Sequence, residues 1–366
     1  MIRTTRAHLI VDAQTHPGMT GKNNEDRYAV ASFVMDKNDK TPVLFAVLSD
    51  GIGGHRAGEV AAELAVNHMM QAVAHSDGRQ IRDTIEEAVI EASDAIAAHS
   101  QSNPNLKGMG ATCAAVWIVG DRLHTAYVGD SRIYLMRGGR IQQLSVDHTW
   151  VQEAIDRGML TPDQARVHPN VHVIRRYMGS PTPPEPDFRL KLFNDEGNQN
   201  AENNQGFQLL PNDVLLLCSD GLTDLVWNDE ILEVVRSKPN LKEATRTLVE
   251  MANSRGGHDN ITVILISVPA DYRFVPKKQV NWAPWVIGSA IGIVLLLAVG
   301  SVLALSWLRL GADADPTATP TLTPTATQTA RPIATMTPFP TMTILPTLSL
   351  PIAPTYTPWP TNTRIP

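Results

Sequence analysis

Apolar runs bounded by glycine, aspartate or asparagine recur along residues 1–275 and predict β-strands, and apolar residues at helical spacing predict helices. The predicted strands cover 43–49, 111–119, 123–128, 132–137, 213–218 and 261–268. The predicted helices cover 57–75, 80–100, 147–158, 228–236 and 241–254. Because strands follow one another in hairpin-like succession and two helices are consecutive, we expect an α+β fold with helices packed outside antiparallel sheets. The polar stretch NDEGNQNAENNQG, residues 194–206, is predicted to be a mobile surface loop.

The pattern changes near residue 276. Gln279–Leu308 is a run of 30 residues without a charge, and most of them are strongly apolar. Because about 20 helical residues cross the hydrocarbon core of a bilayer, we expect a transmembrane helix over 282–308, after a linker over 276–281. Lys277 and Lys278 precede it, which by the positive-inside rule indicates that residues 1–275 are cytoplasmic.

The C-terminal segment, residues 309–366, has a different composition. Its last 51 residues contain 16 Thr and 12 Pro and no acidic residue. Such a segment cannot bury enough apolar surface to offset its chain entropy, so we expect a disordered, extended tail. Following a transmembrane helix, it is interpreted as an extracytoplasmic spacer, for which contact with the cell wall is one role.

Charge and cysteine content narrow the function classes. The chain has 31 basic and 37 acidic side chains, a net charge of -6, which argues against nucleic-acid binding. Cys113 and Cys218 lie far apart in apolar runs, so we expect buried, inert thiols rather than a disulfide. The N-terminus lacks the apolar stretch of a secretory signal, which is consistent with a cytoplasmic first domain.

Four aspartates stand at the ends of predicted strands, beside glycine or a polar turn. They are Asp50 in VLFAVLSDGIGGH, Asp130 in YVGDSRIYL, Asp220 in DVLLLCSDGLTD and Asp259 in GGHDNITVILI. An Asp-Gly step taken alone is most often a turn. Four carboxylates gathered at one end of a sheet would instead repel one another strongly unless cations lay among them. Oxygen ligands select Mg²⁺ or Mn²⁺, and a pair of such ions suits hydrolysis of a phosphate ester by activated water.

The motifs GKNNEDRY, SDGIGGH, GATCAAV, VGDSRIYL, VDHTW, CSDGLTD and GGHDNITVILI resemble, in this order, those of the metal-dependent type 2C protein serine/threonine phosphatases. The likeness runs from about residue 9 to residue 268. It implies a four-layer α-β-β-α sandwich of two antiparallel sheets flanked by helices. It also implies hydrolysis of phosphoserine and phosphothreonine in proteins. A membrane anchor followed by a Pro/Thr-rich tail resembles bacterial members, which oppose transmembrane serine/threonine kinases.

The resemblance also implies roles for individual residues. Asp50 would bridge two metal ions, with the Gly51 carbonyl on the second, and Asp220 and Asp259 would complete the shell of the first. Asp26 would support the attacking water, and Glu25 precedes it as in bacterial relatives. Asp130 would bind a third, weaker metal ion, and Asn260 would support the ligands from behind. Residues 147–180, with Asp147, His148 and His168-Pro169, match the flap subdomain that influences substrate choice.

The chain departs from the family at two positions. The phosphate-clamping arginine of the first motif is replaced by Gly21, and the adjacent Lys22 is the candidate substitute. Lysine supplies a point charge without a bidentate fork, which leaves open whether it takes over phosphate binding. Ile52 stands where eukaryotic members have a histidine; His55 is interpreted as a surface residue and His258 as structural.

Two other functions compete with the phosphatase. A P-loop nucleoside triphosphatase is disfavoured because GIGGHRAGE lacks the GK[ST] ending. A membrane-anchored pseudophosphatase, or phosphoprotein-binding scaffold, is motivated by the missing arginine but would have little need of the complete set of aspartates.

Overall fold

The computed structural model of the chain describes residues 1–53, 57–274, 298–299 and 301. Contacts between Cα atoms divide the chain into two units, Met1–Gln279 and Val280–Pro366. The first unit contains all of the described strands and the helices that cover them. His55, the linker over 276–281 and the tail over 309–366 lie outside the described residues, as does the predicted transmembrane helix except for residues 298, 299 and 301.

The described part of the chain contains short and long strands, numbered in chain order. They are β1 Ile2–Thr4, β2 Ile10–His16, β3 Arg27–Val34, β4 Pro42–Ser49, β5 Gly51–Ile52, β6 Gly110–Ala111, β7 Cys113–Val119, β8 Arg122–Val128, β9 Arg132–Arg137, β10 Arg140–Gln143, β11 Phe207–Gln208, β12 Val214–Cys218 and β13 Ile261–Ser267. The helices are α1 Ala57–His75, α2 Ile81–Ser102, α3 Trp150–Asp156, α4 Pro162–Arg166, α5 Asn198–Asn203, α6 Asp220–Thr223, α7 Asn228–Ser237 and α8 Leu241–Ser254.

The strands form two main sheets. The first has the order β1-β3-β4-β7-β8-β11 and the second the order β10-β9-β12-β13-β2, while β5 and β6 pair separately. Every neighbouring pair is antiparallel. The predicted α+β fold with two antiparallel sheets and helices is therefore confirmed.

Strand β4 shows why its sequence is apolar at every position. Phe45 and Val47 pack in a core that includes residues of α1 and α2. Leu44 and Leu48 point the other way, into a core shared with the second sheet. Both faces of the strand are fully buried. Burial of one such side chain contributes about 2 kcal/mol before entropy is counted, so the strand is a rigid support for Asp50, the residue directly after it.

The second sheet is covered in the same way. Leu215 and Ile264 face the core between the sheets, whereas Leu216 and Val263 pack in a third core with residues of α7 and α8. The order of layers is thus helix, sheet, sheet, helix. Cys113 and Cys218 are buried free thiols, and burial raises the pKa of each to about 12, as expected of inert cysteines.

The predicted loop over 194–206 was wrong in part, because it contains helix α5. Ala201 is fully buried there, and its carbonyl accepts a hydrogen bond from Leu190 N at 2.8 Å. The Glu196 carboxylate accepts from Leu192 N at 2.8 Å and from Asn204 Nδ2 at 2.8 Å. These bonds attach the segment to the domain, and its polar composition conceals the one small apolar residue that docks.

The predicted helix over 147–158 begins later than expected, at Trp150, with the Thr149 hydroxyl accepting from Gln152 N as its N-cap. Asp147 and His148 precede the helix, and their side chains bond to Arg132 and Asp187 instead. Within the parts of the chain that the structure describes, no helix combines the length and apolar character needed to cross a bilayer.

Candidate metal centre

Acidic side chains from four strand ends meet at one edge of the two sheets. Asp50 follows β4, Asp130 follows β8, Asp220 follows β12, and Asp259 precedes β13. Asp26, which precedes β3, joins them. Their proximity shows in their electrostatics, because the charges of several of the other acids raise the pKa values of Asp50 and Asp220.

Burial is the largest cause of the perturbed pKa values, and neighbouring carboxylates are the next for Asp50 and Asp220. The pKa of Asp50 is well above its usual value, with contributions from Asp26, Asp220, Asp130 and Asp259. The pKa of Asp220 is raised in the same way. Burial followed by Asp147 raises the pKa of Asp130 to about 7, and burial raises that of Asp26 to about 6. Like charges held together in a dry site disfavour their own ionisation.

Asp26 is the most buried of these acids, at 1% exposure. Its Oδ2 accepts hydrogen bonds from the Ser219 hydroxyl at 2.8 Å and the Thr262 hydroxyl at 2.6 Å. Its Oδ1 is buried without a hydrogen-bond partner, as is Oδ1 of Asp220. Unpartnered buried carboxylate oxygens are costly, and they indicate a place for a cation.

Thr112 holds the backbone of Asp50 in place. Asp50 N donates to the Thr112 hydroxyl at 2.8 Å, and Thr112 N donates to the Asp50 carbonyl at 2.8 Å. The same hydroxyl lies 2.7 Å from the Ser131 hydroxyl, next to Asp130. This role also explains why the predicted strand over 111–119 is divided between β6 and β7, with Thr112 at the break.

Two glycines allow close backbone contact beside the acids. A Cβ on Gly51 would lie 2.1 Å from the Gly58 carbonyl oxygen, and one on Gly221 would lie 2.1 Å from the Asn260 carbonyl oxygen. Both distances are far below van der Waals contact. The Asp-Gly pairs of SDGIGGH and CSDGLTD therefore need glycine for packing, whatever the role of the adjacent carboxylate.

Asn260 organises the loop that carries the first motif. Its Oδ1 accepts from Glu25 N at 2.7 Å, and its Nδ2 donates to the carbonyls of Pro17 at 3.1 Å and Asn23 at 3.0 Å. Burial, followed by the charge of Asp259, raises the pKa of Glu25 to about 7. The predicted supporting residue thus positions Glu25 from behind through the backbone.

Lys22 lies at the solvent side of the centre. Its Nζ is 4.0 Å from Asp259 Oδ1, and the two side chains are 61% and 53% exposed. Gly21 has a φ of 75° and no atom within 4 Å of the position of a Cβ, so space there is open. The centre is therefore buried around Asp26 and open to solvent around Asp259, where Lys22 is the nearest described cation.

The predicted flap, residues 147–180, packs beside this edge. Arg132 binds Asp147 through Nε at 2.9 Å and Nη2 at 2.6 Å, and the His168 ring stacks on Trp150 with centroids 4.8 Å apart. Arg166 lies 3.5 Å over the Trp227 ring and donates to the Thr223 carbonyl at 3.0 Å. A cavity of about 530 Å³ lies between the flap and the α6–α7 segment, and Asp259 forms part of its wall.

Two residues near the centre were not predicted from the sequence. His172 of the flap lies 3.9 Å from Asp220 and 3.6 Å from Asp224, measured from Nδ1 to the nearest carboxylate oxygen. Ligand atoms of these three side chains all lie within 4.8 Å of one another. Asp224 lies within the motif CSDGLTD, one helical turn after Asp220, and this spacing is a signal in the sequence that places both carboxylates on one side of a helix. Nothing in the sequence singles out His172.

The predicted acids therefore converge. Asp26, Asp50, Asp130, Asp220 and Asp259 share one site, and Glu25, Lys22, Gly51 and Asn260 surround it. His258, interpreted as structural, is exposed next to Asp259, and its ring occupies the space beside Gly256.

Comparison with known proteins gives a consistent result. Residues 15–265 match the family model described as protein phosphatase 2C. Serine/threonine protein phosphatase PstP of Mycobacterium tuberculosis is 35% identical over 268 residues, which cover 72% of this chain and 45% of PstP. Serine/threonine phosphatase stp of Listeria monocytogenes is 33% identical over 257 residues, covering 69% of this chain and 93% of the relative.

Solved structures agree with these matches. The Streptococcus agalactiae serine/threonine phosphatase superposes with a TM-score of 0.62 at 34% identity, covering 71% of this chain and 99% of that one. The catalytic domain of PstP, solved in complex with 2 manganese ions, gives a TM-score of 0.58 at 32% identity, covering 71% and 98%. The motifs, the fold and these likenesses agree, and the chain belongs to the protein phosphatase 2C family.

Proposed function

We propose that this chain is a metal-dependent protein serine/threonine phosphatase, which hydrolyses phosphoserine and phosphothreonine in proteins. The observation that carries the proposal is the group of buried carboxylates with raised pKa values and unpartnered oxygen atoms. The serine/threonine phosphatases that the chain resembles support the same activity here.

The residues present fit a pair of divalent cations. Asp50, Asp220, Asp259 and the Gly51 carbonyl offer only oxygen atoms, which select Mg²⁺ or Mn²⁺ over zinc. The unpartnered Oδ1 of Asp220 and the raised pKa values are the signs of missing positive charge. Two manganese ions in the PstP catalytic domain support this assignment. Asp130 is the candidate for a third, weaker site.

When bound, the two cations supply the positive charge that makes a water molecule nucleophilic and stabilises the phosphoryl oxygens. The chain itself positions the ligands. Thr112 keeps the backbone of Asp50 in register, and Ser219 and Thr262 occupy one oxygen of Asp26, leaving the other available. Asp26 and Glu25 are the groups placed to accept a proton from water.

Lys22 is the proposed contact for the substrate phosphate. It is the nearest described cation to Asp259, its side chain is exposed, and the space around Gly21 is open. An ammonium group adds attraction at one point, whereas a guanidinium would add a bidentate pair. We therefore expect weaker phosphate binding than an arginine would give. The cavity beside the flap is the place for residues flanking the phosphorylated side chain.

The experiment uses the full-length chain in detergent, with a phosphothreonine peptide, in Mn²⁺ and in EDTA. Asp50→Asn should lower kcat by at least about a hundredfold, since even outer partners of metal ligands account for about 10–100-fold. Asp83→Asn, an exposed acid of α2, is the matched control and should retain activity. Turnover in EDTA, or full activity of Asp50→Asn, would refute the metal mechanism. Mn²⁺ binding without turnover on any phosphopeptide would favour the pseudophosphatase.

Anchoring is a separate part of the proposal. The uncharged run from Gln279 to Leu308, preceded by Lys277 and Lys278, supports a single membrane-spanning helix with the phosphatase in the cytoplasm and the Thr/Pro-rich tail outside. This placement suits phosphorylated proteins at the membrane, including serine/threonine kinases, as substrates and partners. Release of the chain from membranes by alkaline carbonate, or digestion of the phosphatase domain by protease added outside intact cells, would refute it.

A further inference from the structure

His148 is buried behind the candidate metal centre and both of its ring nitrogens are engaged. Its side chain is 6% exposed. Nδ1 lies 3.1 Å from the backbone N of Gly129, which can only donate. Nδ1 is therefore the unprotonated nitrogen, and the proton sits on Nε2, which donates to Asp187 Oδ2 at 3.1 Å. Burial lowers the pKa of His148, in keeping with a neutral ring.

Asp187 is a fixed anchor for this ring. Arg189 binds it through Nε at 2.9 Å and Nη2 at 2.5 Å, and its backbone pairs with Tyr127 through bonds of 2.9 and 3.1 Å. Tyr127 also stacks on the His148 ring, with centroids 5.4 Å apart. The imidazole is thus held on its face and at one edge, and its other edge meets Gly129.

Gly129 transmits this position to the metal centre. It immediately precedes Asp130 and has a φ of 104°. Its carbonyl accepts from His148 N at 2.9 Å, so the side chain and the backbone of His148 hold the same residue. On its other side, a Cβ would lie 2.6 Å from the Thr112 methyl group, and Thr112 holds the backbone of Asp50. Gly129 is confined between His148 and the residue that positions Asp50.

His148 also joins the flap to this position, because its carbonyl accepts from Arg175 N at 2.7 Å. Resting on the proposed function, we propose that His148 is a positioning residue for Asp130: its Nδ1 holds the Gly129 amide, and so keeps the Asp130 carboxylate in place for the weakest metal site. The chain uses a histidine here because a neutral imidazole accepts on one edge while it donates to a fixed anchor on the other.

A matched pair of variants separates the two ring functions. His148→Asn places an amide oxygen near the position of Nδ1 and can accept from Gly129, but it cannot reach Asp187. His148→Gln places its amide nitrogen near the position of Nε2 and can donate to Asp187, but it offers no acceptor to Gly129. Each variant is titrated with MnCl₂ by calorimetry in the full-length chain in detergent, and the exchange of the Gly129 amide proton is followed without metal.

We expect His148→Gln to weaken the lowest-affinity Mn²⁺ site by about tenfold, as for loss of one hydrogen bond of about 1.4 kcal/mol, and to accelerate exchange of the Gly129 amide. His148→Asn should stay within about threefold of the unmodified chain in both measurements, although it loses the Asp187 bond. Equal changes in both variants, in proportion to their loss of thermal stability, would overturn the inference in favour of a structural role.

A second measurement needs no variant. Long-range proton–nitrogen correlation spectra of the unmodified protein should show His148 as the neutral Nε2–H tautomer, and a proton on Nδ1 would overturn the inference. These measurements are independent of turnover. Normal Mn²⁺ binding with no discrimination between the variants would refute only the role of His148, whereas a chain that binds Mn²⁺ but never hydrolyses phosphopeptides would refute only the proposed activity.

Discussion

Neutralising Asp130 should stabilise the metal-free protein. Asp130 is 7% exposed, and burial followed by the charge of Asp147 raises its pKa from 3.8 to about 7. This rise in pKa corresponds to a free-energy cost of about 4 kcal/mol for ionised Asp130 in the folded chain relative to the unfolded chain. Asparagine has the same shape without the charge, but its amide group must still be desolvated. We therefore expect Asp130→Asn to raise the free energy of unfolding by about 2–4 kcal/mol at pH 8 in EDTA.

The sign of the pH dependence follows from the raised pKa. Between about pH 4 and pH 7 the folded chain holds a proton on Asp130 that the unfolded chain has released, so stability falls as the pH rises through this window. The advantage of Asp130→Asn should therefore be small near pH 5 and complete near pH 8. For a domain of this size, 1 kcal/mol is about 2–4 °C in Tm, so we expect an increase of at least about 4 °C at pH 8.

The assay is thermal unfolding by circular dichroism at several pH values, in EDTA and in MnCl₂. In Mn²⁺ the unmodified chain should have the higher Tm, since its Asp130 binds a cation that asparagine binds poorly. Asp213→Asn is the control, because the Asp213 carboxylate is equally buried but accepts from Arg137 at 2.8 and 2.6 Å. That variant should lose stability at both pH values, with or without metal. A lower Tm for Asp130→Asn in EDTA at pH 8, or a pH-independent difference, would refute the reasoning.

Variants at three further positions test other parts of the site. Lys22→Arg should lower KM for a phosphothreonine peptide about threefold and Lys22→Ala should raise it by a similar factor; unchanged KM in both would remove Lys22 from phosphate binding. Gly221→Ala should prevent folding or lower Tm by more than about 5 °C, because the new Cβ would lie 2.1 Å from the Asn260 carbonyl oxygen. A normal melting curve would contradict that packing. Arg166→Ala removes the contacts to Trp227 and Thr223; steady-state kinetics should show KM raised about threefold with kcat within twofold, and an effect confined to kcat would show that the flap acts on chemistry instead.

The strands that sequence patterns predicted are those buried on both faces. Strand β4 observed over Pro42–Ser49 and β13 over Ile261–Ser267 each match a continuous apolar run within one residue at either end. Strand β2, Ile10–His16, was missed because it lies at the edge of its sheet, and its sequence IVDAQTH carries polar residues at positions that a central strand would fill with apolar ones. Its place is decided by pairing with β13, about 250 residues later, and no local pattern encodes that contact.

The acids of the site could be predicted for a similar reason. Asp50, Asp130, Asp220 and Asp259 each lie at a strand end beside glycine or a polar turn, and Asp26 and Glu25 were identified from the resemblance of GKNNEDRY to the first motif of the family. Their supports could not be predicted, since the hydroxyl of Thr112 meets the backbone of Asp50 across 62 residues and Thr262 meets Asp26 across 236. Threonine in an apolar strand is indistinguishable from any other β-branched residue until its partner is known.

The cost of the carboxylates and the placement of their supports are parts of one arrangement. Acids that repel one another stay together without metal only if the surrounding structure holds each of them in place. Here the bonds that hold them do not neutralise their charge. Thr112 accepts from the backbone N–H group of Asp50, and His148 accepts from that of Gly129. The bonds to the Asp26 carboxylate come from neutral hydroxyls. An arginine in place of Ser219 or Thr262 would stabilise the metal-free protein, but it would also occupy oxygen atoms of Asp26 and supply the positive charge that a bound cation would otherwise provide. An arginine in place of Thr112 or His148 could not accept from the backbone N–H group. Because neutral groups hold these acids in place without supplying charge, we expect a variant that gains stability by losing a carboxylate to lose metal affinity as well.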